Sequence, residues 1–205
     1  MKAVSLGFLF LAGALVAPRP ALGQQALSVL DLTKVSPKDS GQWVEYGVYQ
    51  GKQGKQGGSY RIRLSFFVDK EQRRWMEMWN EEDQSSLRFP VGAAGSVFMK
   101  RGAAVYRVAH TEAPKDCGGG SCVAVEEKGP PEILATAVGA LPCRRVERRD
   151  ATLWISDRIP ALKIAKARFI DGSHWELLRH GAGARSAFPD GFEKTARELL
   201  PLPAP

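Results

Sequence analysis

Residues 60–66 read Tyr-Arg-Ile-Arg-Leu-Ser-Phe, and this stretch decides the predicted fold class. Apolar side chains fall on one side of an extended backbone and polar ones on the other. A period of two over this length predicts a β-strand with one buried face. Runs with similar aromatic and β-branched content recur at 43–49, 74–79, 97–100, 104–109, 141–149, 152–156, 163–170 and 174–180.

The connections between these runs are short and the helical signal is sparse. Asp171-Gly172 predicts a two-residue type I′ hairpin turn, because both central residues of that turn need a positive φ. The tandem Gly-Lys-Gln repeat in residues 51–58 predicts a flexible, cationic loop. Weak helical spacing appears only at 26–35 and 192–200. The expected fold is therefore mainly β, an antiparallel sheet, sandwich or barrel with one or two short helices.

Composition excludes several protein classes. The 205 residues are 44% hydrophobic and 25% charged, with a net charge of +7, as in ordinary globular chains. No apolar run reaches the ~18 residues that a transmembrane helix needs. The basic charges are spread along the chain, and an exported protein rarely meets nucleic acid, so we expect no nucleic-acid partner.

The first residues have the order of a secretory signal peptide. Lys2 precedes an apolar run, and small residues stand before Gln24. Cleavage after Gly23 would leave 182 residues with a net charge of +5, since Lys2 and Arg19 are lost. Residues 11–14, Leu-Ala-Gly-Ala, resemble a lipoprotein box with alanine in place of the lipidated cysteine. We expect a free, non-lipidated periplasmic protein, the alternative being an uncleaved N-terminal anchor.

The three cysteines favour structural roles. Cys117 and Cys122 flank four flexible residues and would face each other across a hairpin tip, which predicts a disulfide. The alternatives are a redox-active pair or a Cys122–Cys143 bridge. Otherwise Cys143 is expected to be a buried, reduced core residue.

Candidate catalytic groups are few. His174 and His180 are six residues apart on one predicted strand, on the same face and about 20 Å apart, too far to share a metal ion. His110 ends another strand alone, and the acidic run 81–83 predicts a solvated turn. No nucleophile elbow, phosphate loop or zinc motif is present. We therefore expect no catalytic residue, no metal ion, no cofactor and no enzymatic activity.

The strand at residues 74–79 carries apolar bulk on both faces. Trp75 and Trp79 fall on one side and Met76 and Met78 on the other. One interpretation is that one face meets the core and the other lines a groove; the alternative is a strand buried on both sides. The candidate groove residues are Trp75, Met76, Met78, Trp79, Phe66 and Leu64.

The second half of the chain resembles a known group. The chain resembles uncharacterised periplasmic domains of bacteria in two motifs, Ala-Leu-Pro-Cys-Arg-Arg at 140–145 and Leu-Trp-Ile-Ser-Asp-Arg-Ile-Pro at 153–160. It also shares with them the strands predicted at 164–169 and 175–179 and an opening Trp-Val-Glu-Tyr at 43–46. Those domains are similar to the LolA/LolB lipoprotein-carrier superfamily. The resemblance implies a curved antiparallel half-barrel with helical cover over an apolar cavity.

These inferences give a complete expectation for the chain. A signal peptide occupies 1–23, a segment with a short helix 24–41, the half-barrel 42–182, and a short helix with a proline-rich tail 183–205. The expected function is a non-enzymatic, monomeric periplasmic binding module that holds a lipid or other apolar ligand. The alternatives are an envelope accessory protein that fills its own core and docks another protein, and an enzyme acting on envelope material.

Overall fold

The computed structural model describes residues 37–52, 55–111, 126–127, 129–148 and 151–198. A 3-10 helix at Pro37–Asp39 and a single turn of helix, α1, at Phe192–Thr195 accompany thirteen strands. The strands are β1 (Trp43–Lys52), β2 (Lys55–Val68), β3 (Arg74–Asn80), β4 (Ser85–Pro90), β5 (Gly95–Arg101), β6 (Ala104–Thr111), β7 (Glu126–Glu127), β8 (Glu132–Thr136), β9 (Gly139–Glu147), β10 (Ala151–Ile155), β11 (Ile164–Phe169), β12 (His174–Gly181) and β13 (Arg197–Glu198). The predicted signal peptide, the helix at 26–35 and the Cys117–Cys122 disulfide lie outside the described residues.

The strands form one curved, open sheet, which confirms the predicted mainly β fold. Its order is β13-β6-β5-β4-β3-β2-β1-β12-β11-β10-β9-β7, and β8 lies off this path and pairs with residues 139–143 of β9. Within the described ranges, every strand pairing is antiparallel except the two-residue contact between β13 and β6. No helix in the described parts of the chain is long and apolar enough to cross a membrane.

One face of the sheet, the core face, is packed with apolar side chains. Strict alternation brings Val44, Leu64 and Met78 into register across β1, β2 and β3. A single buried cluster extends from Phe89 and Val97 on one side of the sheet to residues of β9 on the other. The sheet therefore curves until both of its sides contact the same core. The opposite face, here called the outer face, carries the alternate residues of every strand.

Two connections differ from the sequence expectations. The Gly-Lys-Gln repeat continues the β1–β2 hairpin, with Gly51 opposite Gln56, because glycine and lysine do not prevent backbone pairing. The β11–β12 turn spans four residues, not two: of its central pair only Gly172 has a positive φ, of 84°. The Asp171 carboxylate accepts a hydrogen bond from the backbone N–H of Ser173 at 2.9 Å, which stabilises this wider turn.

Residues 182–198, here called the strap, leave β12 and cross the outer face. The Ala184 N–H donates to the Gly41 carbonyl at 2.8 Å, next to the start of β1. Phe188 and Phe192 pack on Trp75, Phe98 and Val105 from β3, β5 and β6. The strap ends as β13 beside β6. The helix expected at 192–200 is thus limited to Phe192–Thr195, because the chain turns extended to join the sheet.

Candidate functional site

Four of the predicted groove residues lie together in the core. Leu64 pairs with Met78, and Phe66 pairs with Met76, all on the core face. Their exposed fractions are 1%, 2%, 0% and 0% respectively, and they pack within the main buried cluster. They fill the concave side of the sheet themselves. Entry of an apolar ligand there stays a prediction.

Trp75 and Trp79 lie on the outer face, as the predicted alternation requires. Trp75 is buried under the strap, and its indole N–H donates to the Asp69 carboxylate at 3.1 Å. Burial alone would raise the pKa of Asp69, but hydrogen bonds from Trp75 and Arg73 hold it below the ordinary value. Trp79 is half-buried and lines a cleft. The six candidate residues therefore divide between two faces and do not form one groove.

A buried carboxylate on the outer face gathers three arginines. Glu45 of β1 is 1% exposed. It accepts hydrogen bonds from Arg63 Nη2 of β2 at 2.7 Å and from Arg179 Nε of β12 at 2.8 Å. Arg61 Nη1 lies 4.0 Å from the same carboxylate. We call Arg61, Arg63 and Arg179 around Glu45 the arginine patch.

The electrostatics of this patch follow from its geometry. Burial would raise the pKa of the Glu45 carboxyl, but the hydrogen bonds from Arg179 and Arg63 outweigh burial and lower it. The side chains of Arg61, Arg63 and Arg179 stay 47%, 39% and 54% exposed. Arg61 also pairs with Glu81, so among the described residues one positive charge of the patch remains uncompensated. Glu45 thus holds guanidinium groups at the surface with a net positive charge.

The Trp43 ring packs against two arginines of the patch. The guanidinium carbon of Arg63 lies 4.9 Å from the centroid of the Trp43 ring, and that of Arg179 lies 5.9 Å from it. The Trp43 indole N–H donates to the Ala182 carbonyl at 3.3 Å. A β-carbon on Gly181 would come within 2.9 Å of the ring, so glycine is required there for this close approach. The ring is fixed in place and orients two arginines.

A cleft of about 450 Å³, here called the strap cleft, lies between the strap and the outer face. Trp43, Arg63 and Trp79 line it from the sheet. Ser65, Glu77 and Ser86 also line the sheet side, and the strap contributes Gly183, Ala184, Arg185 and Ala187. The cleft is continuous with the arginine patch through Arg63.

Glu77 fastens the strap to the sheet. It is 4% exposed and pairs with Arg88 Nη1 at 2.9 Å. Its carboxylate also accepts hydrogen bonds from Ser186 Oγ at 2.5 Å and from the Ala187 N–H at 2.9 Å. Arg88 lies 4.7 Å from the Trp75 ring centroid. Burial lowers the pKa of Arg88, and its contact with Glu77 opposes that effect. The Glu77 carboxylate is fully engaged.

A second cleft, of about 630 Å³, lies beside α1 and the 91–96 turn. Three arginines line it: Arg73 pairs with Asp69 at 2.7 Å and Arg107 pairs with Glu198 at 2.5 Å, and Arg74 is the third.

The remaining predicted chemical groups are dispersed. His174 stacks on Tyr49 with ring centroids 4.8 Å apart on the outer face. His180 pairs with Val44 of the core face, because a β-bulge opposite Glu45/Tyr46 shifts the alternation of β12 by one residue. The expectation that both histidines share a face is therefore wrong. No group of three or more metal-ligating side chains occurs among residues that the structure describes.

Cys143 is buried and free, with 1% exposure, as predicted for a core cysteine. Burial raises the pKa of its thiol, and the nearby Glu132 carboxylate adds to that effect. The thiolate form, which would act as a nucleophile, is thereby disfavoured.

Sequence reasoning placed Arg61 and Arg63 on the polar face but missed the patch. Glu45 and Arg179 are separated by more than a hundred residues, and only the β1–β12 pairing unites them. The available signal was a carboxylate on the polar face of a predicted strand, between Val44 and Tyr46. The strap, and with it Arg185 and Ser186, had no periodic signal.

Comparisons with known proteins give a weak likeness in fold. No protein-family model matches the chain, and no curated protein matches it. A crystal structure of MucB has a TM-score of 0.44 and 10% identity, over 80% of this chain and 59% of that one. The MucA/MucB complex of Pseudomonas aeruginosa has a TM-score of 0.41 and 12% identity, over 80% of this chain and 58% of that one. A structure of PNGF-II has a TM-score of 0.46 and 11% identity, over 77% of this chain and 31% of that one. This chain thus spans less than two thirds of each, and the likeness at these values is limited to a broadly similar strand arrangement.

Proposed function

We propose that this protein is an exported, non-catalytic binding module that docks an acidic segment of another envelope protein on its arginine patch. The observation that carries the proposal is the buried Glu45, which fixes Arg63 and Arg179 in place while more than a third of each side chain stays exposed. Preorganised arginine beside tryptophan is the composition of energetic centres in protein interfaces.

Charge defines the partner. The patch retains uncompensated positive charge, and Arg185 adds another cation at its border. An acidic segment complements this surface, and its carboxylates fit the forked guanidinium group. The core face supports a protein partner over an apolar ligand, because its centre is occupied by the chain's own side chains.

Two further features support the proposal. The order of residues 1–23 is that of a signal peptide, which supports export to the periplasm. The Glu45 and Glu77 carboxylates are saturated by arginine and backbone or hydroxyl donors, and a carboxylate in that state is a poor general base. These features favour binding over catalysis.

The test is photo-crosslinking in the native host. A photoreactive phenylalanine analogue replaces Trp79, and a matched variant carries it at Ile170, which is 86% exposed in the β11–β12 turn. We expect one protein, crosslinked through an acidic segment, at position 79 and not at 170, with the yield lowered by high salt. Equal yields at both positions, or a basic or neutral crosslinked segment, would contradict the proposal.

A further inference from the structure

We propose that the strap cleft binds an acidic sugar, a pyranose ring that carries a carboxylate. This ligand is distinct from the protein partner above, and the cleft lies beside the arginine patch and shares only Arg63 with it. Its volume of about 450 Å³ falls in the range of clefts that enclose small ligands.

The positive charge of the cleft favours an anionic ligand. Arg63 and Arg185 both line it. Arg185 is exposed and has no ion pair or hydrogen bond with any other residue that the structure describes. The carboxylate of Glu77, also in the lining, is saturated by Arg88, Ser186 and the Ala187 N–H. The cleft therefore offers guanidinium donors with no unengaged carboxylate to compete for them.

Two serines in the lining of the cleft point to a polyhydroxylated ligand. Ser65 is 9% exposed and Ser86 is 6% exposed, and both line the cleft. Within the described ranges neither hydroxyl has a hydrogen-bond partner. Both hydroxyls reach solvent in the cleft, so they are available to hydrogen-bond a ligand there. A serine hydroxyl both donates and accepts, as sugar hydroxyls do.

The tryptophans complete the match. Trp43 and Trp79 also line the cleft, and Trp43 is held by its hydrogen bond to Ala182. An indole offers a broad apolar surface at small entropic cost, which suits the C–H face of a pyranose ring. A bare oxyanion would use the arginines and leave the tryptophans without a role. An acidic sugar uses all three kinds of lining group.

Isothermal titration tests the assignment with defined probes. Trigalacturonic acid is compared with neutral maltotriose, with sodium acetate, and with acetyl-tetraglutamate amide, all at one ionic strength. We expect trigalacturonic acid to bind at least about tenfold more tightly than each of the others. Equal or tighter binding of acetate or of the peptide would overturn the sugar assignment, as would absence of binding by trigalacturonic acid.

Single substitutions locate the site. Arg185→Ala and Ser86→Ala should each weaken trigalacturonic acid binding by about fivefold or more, with unchanged circular dichroism and melting temperature. Arg158→Ala, at an exposed arginine on the β10–β11 connection, should bind as the wild type does. Equal loss in all three variants, or in none, would overturn the site. The crosslinking at position 79 is scored separately on protein adducts, so either proposal can fail alone.

Discussion

Glu45 and Arg179 stand 134 residues apart in the sequence and are joined by a 2.8 Å hydrogen bond across the β1–β12 pair. This contact links the two halves of the sheet, because β1 and β12 are the neighbouring strands at which the first half of the strand order meets the second. The same carboxylate fixes Arg63. A structural ion pair and a binding surface are therefore built from one residue.

Glu45→Gln should lower the free energy of unfolding by about 1–3 kcal/mol, because the two arginines lose a charged partner that is buried. The measurement is urea denaturation at pH 7. Glu176→Gln is the control, since the Glu176–Lys166 pair is partly exposed and should contribute under about 1 kcal/mol. Equal effects of the two substitutions would contradict the role assigned to Glu45.

The same carboxylate predicts a pH dependence. The folded pKa of Glu45 lies below its ordinary value of 4.5, so its contribution is present above that value and is lost as the pH falls through the folded pKa. The stability difference between wild type and Glu45→Gln should therefore be constant near pH 7 and shrink below about pH 5. Denaturation series from pH 7 to pH 3 measure this, and a difference that grows on acidification would contradict the account.

Gly181→Ala should displace the Trp43 ring, because the new β-carbon would lie 2.9 Å from it. We expect a loss of about 1–3 kcal/mol and altered tryptophan fluorescence. Gly183→Ala is the comparison: a β-carbon there meets no atom within 4 Å, but its φ of 79° strains alanine. It should cost about 1 kcal/mol and leave the Trp43 environment unchanged.

Met76→Ala tests whether the core face is filled. Met76 is fully buried, so we expect a loss of about 2–5 kcal/mol. Met99→Ala, at a half-buried position, should cost less. If the interior instead held an exchangeable lipid, the Met76 substitution would cost little and organic extraction of the native protein would release that lipid.

Phe192→Ala should loosen the strap before it unfolds the sheet. Phe192 makes an edge contact with Phe98, with ring centroids 4.9 Å apart, in a cluster separate from the main core. We expect faster tryptic cleavage after Arg185, with global unfolding affected less than by Met76→Ala. Cleavage after Arg158 serves as the internal reference, and equal acceleration at both sites would contradict a local effect.

Sequence patterning predicted most of the longer strands because their side chains alternate across a half-buried sheet, but it gave no strand at Ser85–Pro90 or Glu132–Thr136. The pattern around Leu64 and Met78 also placed residues on the correct faces. It could not show what covers each face. Polar Glu45 is buried because distant Arg179 compensates it, and pairing between distant strands is absent from local periodicity. The strap follows no period, so the cleft beneath it was not predictable.

The error over the histidines has a comparable cause. Simple alternation put His174 and His180 on one face, whereas the bulge opposite Glu45/Tyr46 inserts one residue and reverses the pattern. A bulge depends on the partner strand, and nothing in the residues 174–180 alone indicates it.

The most direct test of the central claim uses the acidic segment identified by crosslinking at position 79, synthesised as a peptide. Its affinity is measured for wild type and for an Arg61→Gln, Arg179→Gln variant at low and high salt. We expect about a tenfold or greater loss of affinity in the variant, together with a weaker salt dependence. Unchanged affinity in a folded variant would show that recognition does not depend on the arginine patch.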